Sequence, residues 1–78
     1  MKFWSVDYRG HTIRVESFAG GETRLLVDGD LQDVGYSVYK QLNGIVRGGD
    51  GAGEQIKASL TRSWFIRCHI FVDHRLVE

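Results

Sequence analysis

Phe65, Arg67, His69 and Phe71 recur at every second position within the run WFIRCHIFVDHRLVE that begins at Trp64. Side chains alternate faces along a β-strand, so these residues share one face and Trp64, Ile66, Cys68, Ile70 and Val72 share the other. A face that interleaves rings with cations can stack on and neutralise a nucleotide or a single-stranded nucleic acid. The same pattern also suits a protein-partner surface, or a half-buried face packed within the fold or against another copy of the chain. Lys57, Ser59 and Thr61 on a neighbouring strand would extend it, with Arg62 adding a cation. The candidate binding surface is therefore Phe65, Arg67, His69, Phe71, Lys57 and Arg62. A small-ligand version would hold an anionic or nucleotide-like molecule between subunits with Arg67, His69 and Arg62.

Other chemistries fare worse. The stretch Gly48-Gly49-Asp50-Gly51-Ala52-Gly53 is glycine-rich, but a phosphate loop needs a lysine and a following helix to carry the phosphate charge. Here Glu54 follows, and a carboxylate there repels phosphate, so the stretch reads as a flexible connection. His69 and His74 are five residues apart, which on a strand puts them on opposite faces, and His11 lies in a different turn. No metal or other cofactor is expected. Ser5, Asp7 and His11 supply the residue types of a nucleophile, an acid and a base, yet nothing marks any of them as activated. A chain this short can hardly enclose a catalytic pocket alone, and the expectation is a non-enzyme.

The elements that would position the candidate face are all strands. Trp4, Val6 and Tyr8 alternate, as do Ile13 and Val15 against Arg14 and Glu16, and Leu25 and Val27 against Leu26. Ile56, Ala58 and Leu60 alternate with Gln55, Lys57, Ser59 and Thr61. Asp28-Gly29 is the strongest hairpin signal, because a type I′ turn needs positive φ at both central residues. Arg9-Gly10 and Asp73-His74 are read as further tight turns. Val34, Tyr36 and Val38 suggest a strand that Tyr39 interrupts, and Leu42 to Arg47 suggests another. The chain has no proline, its ten glycines fall mostly between apolar runs, and no long stretch keeps a helical period. The expected fold is all-β: a small antiparallel β-sandwich or partly closed barrel of six to eight short strands, as a single domain over residues 1–78. The segments Val27-Asp28-x-x-Leu31 and Val72-Asp73-x-x-Leu76 echo each other, and an internal duplication or shared hairpin physics would explain them equally.

At 78 residues the chain is near the size at which a core alone gives marginal stability. Its single cysteine, Cys68, excludes an internal disulfide, so a dimer or larger homo-oligomer is the expected supplement. Ten basic residues balance ten acidic ones, which disfavours a dedicated nucleic-acid binder. No run approaches the ~18 apolar residues of a membrane helix, and the charged N-terminus is unlike a signal peptide. The expectation is a cytoplasmic protein with Cys68 as a reduced core thiol.

The chain resembles the domains of the Fas apoptotic inhibitory molecule family. The resemblance rests on Trp4-x-Val6, Gly10-His11-x-Ile13, Val27-Asp28-Gly29, Tyr39-Lys40-x-Leu42-x-Gly44 and a final strand ending in Val72-Asp73, with His74 where such domains tend to have the turn glycine. It implies a compact β-sandwich without catalytic residues that acts as an intracellular interaction module, and it transfers no site residues.

Overall fold

The computed structural model describes residues 2–36, 41–49, 51–62 and 66–77, with the backbone alone for Arg62 and Ile66. Strands β1 (Lys2–Tyr8), β2 (His11–Ser17), β3 (Thr23–Val27) and β4 (Asp30–Gly35) form one antiparallel sheet in sequence order. Strands β5 (Gln41–Ile45), β6 (Gln55–Arg62), β7 (Ile66–Val72) and β8 (Arg75–Leu76) form the second in the same way. The sheets do not join into a barrel; the fold is a small β-sandwich. No helix occurs among the described residues.

Alternation builds the core. Ile13, Val15, Leu25 and Val27 from the first sheet meet Leu42, Ile56, Ala58, Leu60, Cys68, Ile70 and Val72 from the second. Trp4, Val6, Tyr8 and Val77 pack partly buried against its margin. Cys68 is in this cluster, and burial pushes its thiol pKa up to about 12. The thiol therefore stays protonated and serves as a small apolar side chain.

Three two-residue turns carry positive φ at both positions: Arg9 and Gly10, Asp28 and Gly29, and Asp73 and His74. That is the type I′ geometry whose twist matches a right-handed hairpin. The two halves are built alike beyond their strand order. The Asp28 N–H donates to the Thr12 carbonyl at 2.8 Å while Asp28 Oδ1 accepts the Thr12 N–H at 2.9 Å. Likewise, the Asp73 N–H donates to the Gln55 carbonyl at 2.8 Å and Asp73 Oδ1 accepts the Gln55 N–H at 3.2 Å. Each aspartate thus ties its hairpin turn to the start of the preceding strand.

The expectation of a strand through Val34, Tyr36 and Val38 is met at Val34; β4 ends at Gly35, and Val38, Tyr39 and Lys40 lie outside the described residues. Within β4 the register slips: Leu26 pairs with Leu31 but Leu25 with Asp33. Gln32 is the extra residue of this β-bulge. Its amide donates to the Ile45 carbonyl at 2.8 Å and accepts the Ile45 N–H at 2.7 Å. Asp33 Oδ2 accepts the Asn43 N–H at 2.9 Å. Side chains from the first sheet thereby occupy the outer backbone edge of β5 and couple the two sheets along one side.

The glycine-rich connection is a hydrogen-bonded loop. Gly53 N–H donates to the Val46 carbonyl at 2.8 Å, and Val46 N–H to that of Glu54 at 3.0 Å.

Candidate functional site

Two clusters of polar side chains stand out, and they differ in kind. The first lies at the end of the sandwich that carries the three tight turns. His11 Nδ1 lies 2.6 Å from Asp28 Oδ2; because a carboxylate only accepts, the ring nitrogen donates. The Tyr8 hydroxyl donates to Glu54 Oε2 at 2.7 Å, and Arg9 reaches Glu54 Oε1 at 3.3 Å. These bonds join the β1–β2 turn to the β3–β4 turn and to the residue after the glycine loop. Donation to the Glu54 carboxylate, with some burial, raises the Tyr8 pKa above its ordinary 10.0. The hydrogen bond from His11, then that from the Thr12 N–H, lowers the Asp28 pKa below its ordinary 3.8. The hydrogen bonds named here hold turns together.

That arrangement has a pH signature. Asp28 binds its proton less readily in the folded than in the unfolded chain. Its contribution to stability is therefore complete above pH ~4 and is lost as pH falls through the lowered folded-state value. Replacing Asp28 with Asn is expected to lower stability at neutral pH and to flatten the decline on acidification. Thermal melts of both proteins from neutral to strongly acidic pH check this; parallel curves would contradict it.

The second cluster is the outer face of the second sheet. Register places Lys57 opposite Phe71, Ser59 opposite His69 and Thr61 opposite Arg67. Gln41, Asn43 and Ile45 continue the face across β5, opposite Ser59, Lys57 and Gln55. Arg67 and His69 are exposed, and Lys57 and Phe71 are half-buried. Two adjoining shallow depressions open on this face. One, about 280 Å³, lies between β5 and β6 beside Asn43, Ile45, Gln55 and Lys57; the other, about 340 Å³, is lined by Gln41, Lys57, Ser59 and Phe71. His74 and Lys57 border both.

Charge separates the two outer faces. On the first sheet, cations and carboxylates alternate: Arg14 pairs with Glu16 and Arg24 with Glu22, both at 2.9 Å. On the second, the described outward positions of β5 to β8 carry Lys57, Arg67 and His69 and no carboxylate. The nearest acids in sequence are engaged elsewhere: Asp73 sits in the turn with one oxygen bonded to the Gln55 N–H, and Glu54 accepts from Tyr8 and Arg9.

Compared with family models, curated proteins and solved structures, the chain matches none.

Of the residues expected from sequence to form the surface, Lys57, Arg67, His69 and Phe71 therefore share one face. Phe65 lies outside the described residues, as does Trp64, and Arg62 is described only by its backbone, paired with Ile66. Sequence reasoning missed His74 and Asn43 as neighbours of Lys57. His74 had a signal of its own: it occupies a left-handed position (φ 65°) where the corresponding turn of the first sheet has Gly29 (φ 85°). The two remaining histidines do not approach a common point with His11, which is tied to Asp28. Among the described residues no three of His, Cys, Asp and Glu converge as a metal site would require.

Proposed function

We propose that this chain is a small non-enzymatic binding module whose working surface is the outer face of the second sheet, and that its partner is an acidic protein surface or segment. The observation that carries this reading is that the described outward positions of that face hold basic residues and no carboxylate, against the mixed charge of the other. Complementary potential steers encounter and fixes orientation. The breadth of the face supports a macromolecular partner: its basic residues extend from His74 beyond β7 through Lys57 to Arg67, whereas a small-molecule site encloses most of its ligand. His74 stands at the rim of this face, at a left-handed position of the β7–β8 turn. The twin depressions around Lys57 and His74 favour a second reading, a small anionic or nucleotide-like ligand held on the same face between subunits. We take the compartment to be the cytoplasm, in keeping with a lone, buried thiol.

Calorimetric titration with a short polyglutamate peptide tests the reading. Binding is expected, weakening with salt as exposed charges are screened, and Lys57→Glu or Arg67→Glu should each reduce affinity by about tenfold or more. His74→Gly should reduce it as well while raising the melting temperature, because glycine relieves the left-handed strain. Binding of ATP but not of the peptide would favour the small-ligand reading. Affinity unchanged by both charge reversals would exclude this face.

A further inference from the structure

The structure treats its four sheet edges differently. On the first sheet, β4 is bulged at Gln32. On the second, β5 has its outer backbone occupied by Gln32 and Asp33 side chains, and β8 is two residues long. Natural proteins block edges by such means because an open strand recruits another. β1 has none of them. Its seven residues pair with β2 without a register break from Lys2 to Tyr8, and no described residue pairs with its other side.

The hydrogen-bond phase of this edge is fixed by its turn. Tyr8 and His11 flank the two-residue loop and form the closing hydrogen-bonded pair, so bonding to β2 alternates through Val6, Trp4 and Lys2. Consistent with this, the Thr12 backbone bonds to Asp28 on the β3 side. The N–H and C=O groups of Phe3, Ser5 and Asp7 therefore point outward along the open edge.

We propose that this edge is a self-recognition surface: β1 pairs antiparallel with β1 of a second copy about a twofold axis at Ser5, giving a dimer with one continuous sheet. The register follows from the phase. With Ser5 opposite itself, Phe3 of each copy faces Asp7 of the other, and all three outward-pointing residues form hydrogen-bonded pairs. A slip by two residues in either direction leaves one of them without a mate.

The side chains fit the same register. On the inner face Trp4 meets Val6 of the second copy, an aromatic with a β-branched residue, which extends cover over two side chains that are only half-buried in the single chain. On the outer face Asp7 of the second copy comes beside Phe3, and the Arg14 guanidinium already lies 4.0 Å over the Phe3 ring. Arg14, which bonds Glu16 at 2.9 Å within its own chain, is thereby brought near Asp7 of the second copy, twice by symmetry. A second copy is the occupant because the outward backbone groups of Phe3, Ser5 and Asp7, and the half-buried Trp4 and Val6, complement themselves about the twofold axis.

Sedimentation velocity over a concentration series tests the proposal on the full chain. Wild type is expected to form a species of twice 8.9 kDa. Asp7→Lys and Arg14→Glu each place like charges together at both ends of the interface, and each should weaken the dimer by about tenfold or more. Mixed in equal amounts they should dimerise again, since the heterodimer pairs Lys with Glu at one end and Asp with Arg at the other. Ser5→Asp, at an exposed site, sets two carboxylates on the twofold axis and should also give monomers with an unchanged circular dichroism spectrum. Wild type that remains monomeric throughout, Ser5→Asp that still dimerises, or a mixture no more dimeric than its components would overturn the proposal. Because none of these variants touches the second sheet, peptide binding by their monomers is tested separately.

Discussion

Gly44→Ala is expected to destabilise the protein by about 2–4 kcal/mol, a loss of roughly 10–25 °C in Tm for a domain of this size. A Cβ on Gly44 would stand 2.7 Å from Gln32 Oε1 and 3.0 Å from Leu25 Cδ2. Gln32 is a long side chain, but it is not at liberty to swing away. Both ends of its amide are committed to Ile45, so making room for a methyl breaks two hydrogen bonds and opens the sheet-to-sheet link on that side. Leu25 is fully buried and has little space to move. The mechanism can be separated by a double-mutant cycle. Gln32→Ala alone forfeits the two bonds, at about 1–2 kcal/mol, because the Ile45 groups can turn to water. In that background Gly44→Ala meets only Leu25, so the double variant should be distinctly more stable than the sum of the singles. Additive losses in urea unfolding would show that the Gln32 clamp does not link the sheets.

Ile70→Ala is expected to cost still more, about 3–5 kcal/mol. Ile70 lies in the middle of β7, fully buried, and its cross-strand neighbour is Ala58, which is too small to fill the space left. At about 0.05–0.15 kcal/mol per residue a chain of 78 residues has roughly 4–12 kcal/mol in total. The variant should therefore lose at least about a quarter of that stability, and all of it at the lower end of the range. Leu76→Ala is the control: Leu76 is 59% exposed, and its loss should stay within about 0.5 kcal/mol. Comparable urea midpoints for the two variants would mean that the core is not where the alternating pattern puts it.

These two predictions mark how far the sequence could be read. The Ile70 site was legible, because period-two alternation over β7 assigns a whole face inward at once, and the same held for Ile13, Val15, Ile56 and Leu60. The turns were legible where backbone chemistry demands it, as at Asp28-Gly29. The shared Val-Asp segments also have a structural meaning: in each, the aspartate bonds the backbone at the start of the preceding strand, at Thr12 and at Gln55. The Gln32 clamp was not legible. It depends on a one-residue bulge that changes which side chain faces the neighbouring sheet, and alternation carries no mark of a bulge. A glycine inside a strand was the available signal, since it often marks a close approach of another group, and Gly44 is such a residue.

The candidate surface shows the same division. Arg67, His69 and Phe71 could be aligned from sequence because they share a strand. Lys57 could be added from the alternation of β6. His74 and Asn43 come from a turn and from another strand, and they meet Lys57 only through the register of β5, β6 and β7. Register is set by turns and loop lengths together, and for β5 the glycine loop intervenes. The charge contrast between the two outer faces was hidden for a related reason. The chain as a whole is neutral, and only the assignment of each residue to a sheet and a side separates the cations of one face from the ion pairs of the other.

Residue-by-residue mapping of backbone amide chemical shifts during titration with polyglutamate tests the proposed working surface most directly. The account predicts that the amides of Lys57, Ser59, Arg67, His69, Phe71 and His74 shift together and saturably, while those of Arg14, Glu16 and Arg24 on the other face stay in place. Shifts concentrated on the first sheet, or none on the second at low salt, would contradict it.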